Sequence, residues 1–400
     1  MVVSASPGAR SSLIHSLPQG LLSRRRCISS AALDAQADAQ RLQIGLMLDE
    51  LRKAAGPPVA VCSPSATHLS SNADADADDA HIVVDVAALT PGFVSDMTAL
   101  LLMPASGAKL HPSSLIRVLH AAAAVTEAEP TVLDLSDRST VTVVGDLHGC
   151  APSLHRVLDI VGASPTALAG TVVFNGDFVD RGEKSTEVLA SLAMLKLCHR
   201  DDVVLLRGNH EDELLATAYG FKDELLTKYR DHPSQHSALW AAAVRLFSSL
   251  PLAARTHDSF IMHGGLPSET FQIDDLVRVR PAERAAMPSV VQPIDTHEPP
   301  PPPPPTSGSP GPSSMHPPQP SPPQPSPPQP SPPQPSPLQP SSAETAALMR
   351  SVLWSDPGDG LGVLINEPRG GAGVLFGDDV TLSFLRRHGL RRLVRSHQVG

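Results

Sequence analysis

Three short polar runs recur along the chain at near-equal intervals: Gly145-Asp146-Leu147-His148-Gly149, Gly176-Asp177-Phe178-Val179-Asp180-Arg181-Gly182 and Gly208-Asn209-His210-Glu211. Each follows an apolar stretch that reads as a buried strand: Val141 to Val144, Thr171 to Phe174, and Val203 to Leu206. Asp146 and Asp177 lie 31 residues apart, and Asp177 and Asn209 lie 32 apart. That is the length of one strand-helix-strand unit. Parallel strands of such units end at one edge of their sheet, so the three clusters are expected to meet there. They gather Asp, His, Asn and Arg without Cys. Such ligands suit hard to borderline divalent ions, and a site rich in carboxylate and imidazole suits two of them.

Two later histidines fit the same arrangement. His263 ends Ser259-Phe260-Ile261-Met262 and precedes Gly264-Gly265, while His397 ends Leu393-Val394-Arg395-Ser396. Both follow strand-like runs and can point from a strand end towards the cluster. Taken singly, each residue has a plainer reading as a turn, a cap or a surface ion pair. The plainer readings fail together, because six ligand-type residues fall at expected strand ends. His81, His155, His199, His232, His236 and His257 lie outside every block and are read as ordinary polar residues.

These blocks resemble the phosphoprotein phosphatase family of serine/threonine phosphatases, in order and spacing, from about Leu110 to Gly400. Asn175, Glu211-Asp212, Tyr219-Gly220-Phe221, Leu353-Trp354-Ser355-Asp356-Pro357 and Arg369-Gly370-Gly371 are most similar to its EF-hand-bearing, retinal-degeneration-C-type branch. The resemblance implies an α/β metallophosphatase-like fold, with a central β-sandwich flanked by helices. It also implies metal-dependent hydrolysis of phosphoserine and phosphothreonine in proteins, with two divalent ions, manganese with iron or zinc. Carried over residue by residue, Asp146 and His148 hold one ion, Asp177 bridges, and Asn209, His263 and His397 complete the second. His210 becomes the leaving-group acid, Asp180 its orienting carboxylate, and Arg181 and Arg369 the clamps on the phosphoryl oxygens. The family continues past the position of Gly400 with further strands and a loop bearing an aromatic and a cysteine, so its last strands are missing here. Without them, the strand ending at His397 is expected to be a frayed edge, with the ring held by metal alone. A dinucleoside polyphosphate hydrolase shares the first three blocks and is the alternative enzyme. An inactive phosphoprotein-binding scaffold is the alternative from another class.

Composition divides the chain. Residues 1–32 carry Arg10, Arg24, Arg25 and Arg26 with many Ser and no acidic residue. They are expected to be disordered, with the profile of a plastid or mitochondrial transit peptide as the alternative to a cytoplasmic or nuclear protein. Residues 33–105 form a variable N-terminal region. Within it, Asp38 to Ala55 has helical periodicity and Ala73 to Ala80 is an acidic linker. A calcium loop starting at Asp74 would need Gly in place of Asp79 and Glu in place of Asp85, so calcium binding is not expected. Residues 106–285 and 346–400 are the two parts of the catalytic domain; in the first, His111 to Glu129 reads as a helix capped by Ser113 or Ser114.

Between those parts lies a proline-rich insert, residues 286–345, whose core Pro299 to Pro340 holds more than half of the chain's 42 prolines. Proline removes amide donors and fixes φ, so no packed fold is expected there. Its P-x-x-P spacing suits SH3-type or WW-type grooves. The insert interrupts the catalytic domain and is expected to loop out with its ends close together. The formal net charge of −10 argues against a nucleic-acid or membrane surface. Cys27, Cys62, Cys150 and Cys198 show no paired spacing and read as reduced thiols. No apolar run approaches bilayer length.

Overall fold

The computed structural model describes residues 2–5, 81–103, 106–162, 168–286 and 342–398. The arginine-rich segment beyond residue 5, the periodic segment at Asp38 to Ala55, the acidic linker, Cys27, Cys62 and the proline repeat lie outside the described residues.

One sheet has the order β1-β5-β6-β7, with β1 Val2–Ala5, β5 Val141–Val144, β6 Thr171–Asn175 and β7 Val203–Leu206. β5, β6 and β7 are parallel, and β1 lies antiparallel on β5 with Val2 opposite Val144. The last three strands are buried throughout. A strand covered on both faces needs apolar residues on both, and β-branched side chains fit such pleated surfaces. The crossover helices are Ala151–Ile160 and Ser185–Cys198. The second of these is buried from Ser185 through Lys196, as expected of a helix that is apolar nearly all round.

A second sheet runs β13-β9-β8-β4, with β4 Val132–Asp134, β8 Ala253–Arg255, β9 Ser259–Met262 and β13 Arg392–Val394. The period-2 alternation of side chains sets the layers. Val141, Val143, Val173, Val204 and Leu206 meet Ala254 and Ile261 of the second sheet in one apolar cluster, which is the inside of a β-sandwich. Val172, Phe174, Val203 and Leu205 face the other way, into a core shared with helices. Phe260 and Met262 likewise pack with Met349, Val352, Trp354 and Phe384 on the outer side of the second sheet. The central sandwich flanked by helices is therefore present. Smaller pairings complete the described fold: β2 (His81–Ile82) with β3 (Lys109–Leu110), and a three-stranded sheet ordered β10-β12-β11 from Asp356–Pro357, Val374–Phe376 and Val363–Ile365.

Two local differences from the sequence reading have physical causes. Helix Pro112–Glu127 is capped by His111, whose Nδ1 accepts from the Ser113 amide at 3.3 Å, rather than by Ser113 or Ser114. Pro112 fixes φ at the first helical position, which puts the cap at His111, two or three residues earlier. Ser114 is instead buried and accepts from the Val84 amide at 2.9 Å. In addition, packing begins before residue 106: Ile82, Val84, Val94, Leu101 and Leu102 are part of the core.

Residues on either side of the proline-rich insert share one core, since Leu266 and Phe271 pack with Met349, Leu353 and Phe376. Ala286 and Ser342, the described residues nearest its ends, line the same cavity of about 350 Å³ with Thr345 and Met349. A loop whose ends already meet costs little extra as it lengthens. Deleting Pro299 to Pro340 should change the unfolding free energy by less than about 1 kcal/mol in chemical denaturation. Loss of folded protein would show that the segment packs.

Candidate metal centre

The strands β5, β6, β7, β9 and β13 deliver Asp146, Asp177, Asn209, His263 and His397 just past their C-terminal ends, at one edge of the sandwich. Asp177 is at the middle. Its carboxylate lies 3.5 Å from Nε2 of His148 and 3.3 Å from Nε2 of His263. The amide of Asn209 sits 2.9 Å from both Nε2 of His263 and Nδ1 of His397. Two groups of converging ligand atoms result, His148–Asp177–His210 and Asp177–His263–His397, and Asp177 belongs to both.

The imidazoles are turned as metal ligands usually are. His148 Nδ1–H donates to the Val179 carbonyl at 2.9 Å, and His263 Nδ1–H donates to the Asn175 carbonyl at 2.8 Å. A backbone carbonyl on one nitrogen fixes the tautomer and leaves the lone pair of the other facing the cluster. The donor set is carboxylate, imidazole and amide without thiolate, which fits hard to borderline divalent cations.

The backbone is strained here and nowhere else among the described residues. The non-glycine residues with positive φ are His148, Asp177, Asp180, Arg181 and His397, at 43°, 53°, 70°, 66° and 69°. Such conformations persist only where surrounding structure over-determines them, and they concentrate at functional sites. Gly208 explains how the loops come so close: a Cβ there would collide with the amide and carboxylate of Asp177.

His210 and Asp180 form a buried pair at 2.6 Å, His210 Nδ1–H donating to the carboxylate, whose other oxygen accepts from the Phe221 amide at 3.1 Å. Burial alone would lower the His210 pKa. The Asp180 hydrogen bond and the charge of Asp177 outweigh it and lift the ring above the ordinary histidine range. Arg181 is exposed, and its Nη2 donates to His210 Nε2 at 3.3 Å. Only the neutral ring can accept that bond, so protonation of Nε2 sends the guanidinium elsewhere. Arg369 is tethered by Asp356, 3.0 Å from its Nε, and by the His397 carbonyl, 3.2 Å from Nη2. Burial pushes His263 down, yet the Asp177 carboxylate carries it up to about 9. A cation entering between them would displace that proton.

The structure differs from the sequence reading at two of these positions. Asp146 falls outside both converging groups: its Oδ1 accepts from the His397 amide at 3.2 Å, and His210 completes the group of His148 and Asp177. Nor is His397 held by metal alone. Its amide is bonded to Asp146, its carbonyl to Arg369, and Trp354 packs edge-on with ring centroids 5.7 Å apart.

Three supporting residues carried no role in the sequence reading, although they lie within quoted motifs. Glu211 accepts from the amides of Asp177, Phe178 and Gly208 at 2.7, 2.8 and 2.9 Å, clamping two ligand loops together. Burial and the charge of Asp177 raise its pKa to about 7. Asn175 donates to the Met262 carbonyl and to Ser396 Oγ, at 2.9 and 2.8 Å, joining the ends of both sheets. Asp356 gathers Arg369, Arg395 and Asn366. Their signal was position beside a ligand: a buried polar residue next to a metal block serves to hold the block.

Comparison with known proteins agrees with this geometry. The calcineurin-like phosphoesterase family model matches residues 139–318. The serine/threonine-protein phosphatase rdgC of Drosophila melanogaster is 32% identical over 73% of this chain and 37% of its own length. The human serine/threonine-protein phosphatase with EF-hands 1 is 32% identical over 72% of this chain and 42% of its own. Residues 139–318 thus carry a calcineurin-like phosphoesterase domain, and these relatives are serine/threonine-protein phosphatases. Among solved structures, the chain is similar to a Saccharomyces cerevisiae protein serine/threonine phosphatase with similarity to human phosphatase PP5. That structure aligns at a TM-score of 0.50 and 25% identity, over 74% of this chain and 73% of that one. The chain spans under half the length of the Drosophila and human relatives. No helix among the described residues is long and apolar enough to cross a membrane.

Proposed function

We propose that the chain hydrolyses phosphoserine and phosphothreonine in proteins. The observation that carries this reading is the position of Asp177, one buried carboxylate shared by two converging ligand groups. Two divalent cations would be held there, manganese with iron or zinc. His148 and Asp177, with Asp146, would hold one; Asp177, Asn209, His263 and His397 would hold the other. When bound, such a pair activates a water molecule and neutralises phosphoryl charge.

The chain's own residues supply the rest. Arg181 and Arg369 would grip the phosphoryl oxygens, the forked guanidinium matching two oxygens at once. Arg369 is pre-aimed by Asp356, whereas Arg181 must leave His210 to reach a phosphate. As water oxygen bonds to phosphorus, the bond from phosphorus to the serine or threonine oxygen breaks. The proton on His210 Nε2 passes to that oxygen, and Asp180 keeps the ring oriented and charged before transfer. No side chain is needed as a covalent nucleophile.

The proline-rich insert supports a further contact with SH3-type or WW-type grooves through its P-x-x-P repeats. The reading as a dinucleoside polyphosphate hydrolase is not favoured, because the named relatives are protein phosphatases. Rates on a phosphoserine peptide and on a dinucleoside polyphosphate should separate the two enzymes. We expect kcat/KM at least about tenfold higher for the peptide, about 1.4 kcal/mol in transition-state binding. The reverse order would overturn the proposal.

A further inference from the structure

The three-stranded sheet beside Arg369 has an anomalous edge. β11, Val363–Ile365, is its outermost strand and pairs only with β12. Successive side chains of a strand point to opposite faces. Leu364 and Ile365 are nevertheless 56% and 67% exposed, and Leu361 just before them is 78% exposed. The edge therefore presents apolar side chains on both faces, together with an unpaired row of backbone groups. Edges of this kind pair with other chains unless charge, proline or a bulge blunts them.

The strand is held rather than loose. Gly362 N–H donates to the Asp379 carboxylate at 3.0 Å, and the Gly362 carbonyl accepts from the Gly377 amide at 2.9 Å. At its other end the Asn366 side chain donates to Asp356 at 3.1 Å and to the Trp354 carbonyl at 3.3 Å. A fixed edge spares much of the ordering cost of binding. The exposed charges flanking it are acidic: Asp359, Glu367 and Asp378. Ile365 and Arg369 are four residues apart, so at most about 14 Å separates them. That is about four residues of extended peptide.

We infer that β11 is a strand-addition site for the substrate: an extended segment of a phosphoprotein, alternating apolar and basic residues, pairs with this edge and leads its phosphoserine to Arg369. This rests on the protein-phosphatase reading and adds a substrate class to it. Apolar side chains of the segment cover the face of Leu361 and Ile365; its basic ones, on the other face, lay their aliphatic stems on Leu364 and turn their charges to the acidic flank. Backbone pairing supplies affinity and the side-chain alternation supplies selectivity, the usual division in strand addition. Because the contact lies away from the reacting atoms, it acts through KM.

The test uses the full chain and two phosphoserine peptides. One carries a Val-Lys-Ile-Arg-Val flank about four residues from the phosphoserine; the other carries Gly-Ser repeats there. The unaltered chain should prefer the first by about tenfold in kcat/KM, mainly through KM. The L364T/I365T variant keeps strand-forming residues but removes the apolar surface. It should lose the preference while turning over an aryl phosphate at the original rate. A preference that is absent from the unaltered chain, or that survives in the variant, overturns the inference. So does light scattering that shows a dimer dissolved by the variant, since the edge would then belong to a second copy. Hydrolysis of the aryl phosphate with no turnover of either peptide would instead reject the protein-substrate reading itself.

Discussion

Asp177→Asn should abolish stable binding of both ions and lower phosphopeptide hydrolysis by about 1,000-fold or more. The magnitude follows from the several kcal/mol that cations contribute to transition-state charge stabilisation, at about 1.4 kcal/mol per tenfold. Asp177 is 1% exposed and is the residue common to both ligand groups, so losing its charge weakens each. Asparagine tolerates the left-handed φ of 53° found here at least as well as aspartate. It also keeps an oxygen for the His210 amide, which donates to Asp177 at 3.0 Å. The fold should therefore survive, and thermal unfolding without added metal should be little changed. Metal content and rate measured on the same preparation check the expectation. A variant retaining two ions and more than a tenth of the activity would remove Asp177 from the bridging position.

His210→Asn should behave differently. Both ions should remain bound, while phosphoserine hydrolysis falls about 100-fold or more, the usual scale for a general acid. The cause is the leaving group: a serine alkoxide needs a proton, and the 2.6 Å pair with Asp180 makes His210 its source. An aryl phosphate, whose leaving group is stable without prompt protonation, should lose much less. Equal losses on the two substrates would assign His210 to positioning or to metal binding. His210 does stand with His148 and Asp177 in one ligand group, which makes the metal measurement a necessary companion.

Much of this centre was legible in the sequence because its information is periodic. The spacing of Asp146, Asp177 and Asn209, each behind a β-branched run, places three residues at one sheet edge, and the strands formed where the runs lie. His263 and His397 could be placed because each ends a strand-like run. The partners of those residues were less legible. Asp146 turns to the amide of His397, 251 residues away, and Arg369 is steered by Asp356 and by the His397 carbonyl. Such bonds depend on how the two sheets pack, which no local pattern encodes. The strain at His148, Asp177, Asp180, Arg181 and His397 was hidden for another reason: none is a glycine, so nothing in the residue type announces a positive φ. The cap of helix Pro112–Glu127 turned on one proline, and the boundary before residue 106 on a short paired segment, β2 with β3. The exposed β11 edge reads in sequence as an ordinary apolar run; only its place at the rim of a sheet makes it unusual.

The central claim is that hydrolysis requires two cations sharing Asp177. Its most direct test is a titration of the metal-depleted chain with manganese, following phosphate release from a phosphoserine peptide against the number of ions bound per chain. The expected result is little release up to one ion and a steep rise that completes at two. Full activity with one ion bound, or no activity with two, would contradict the account.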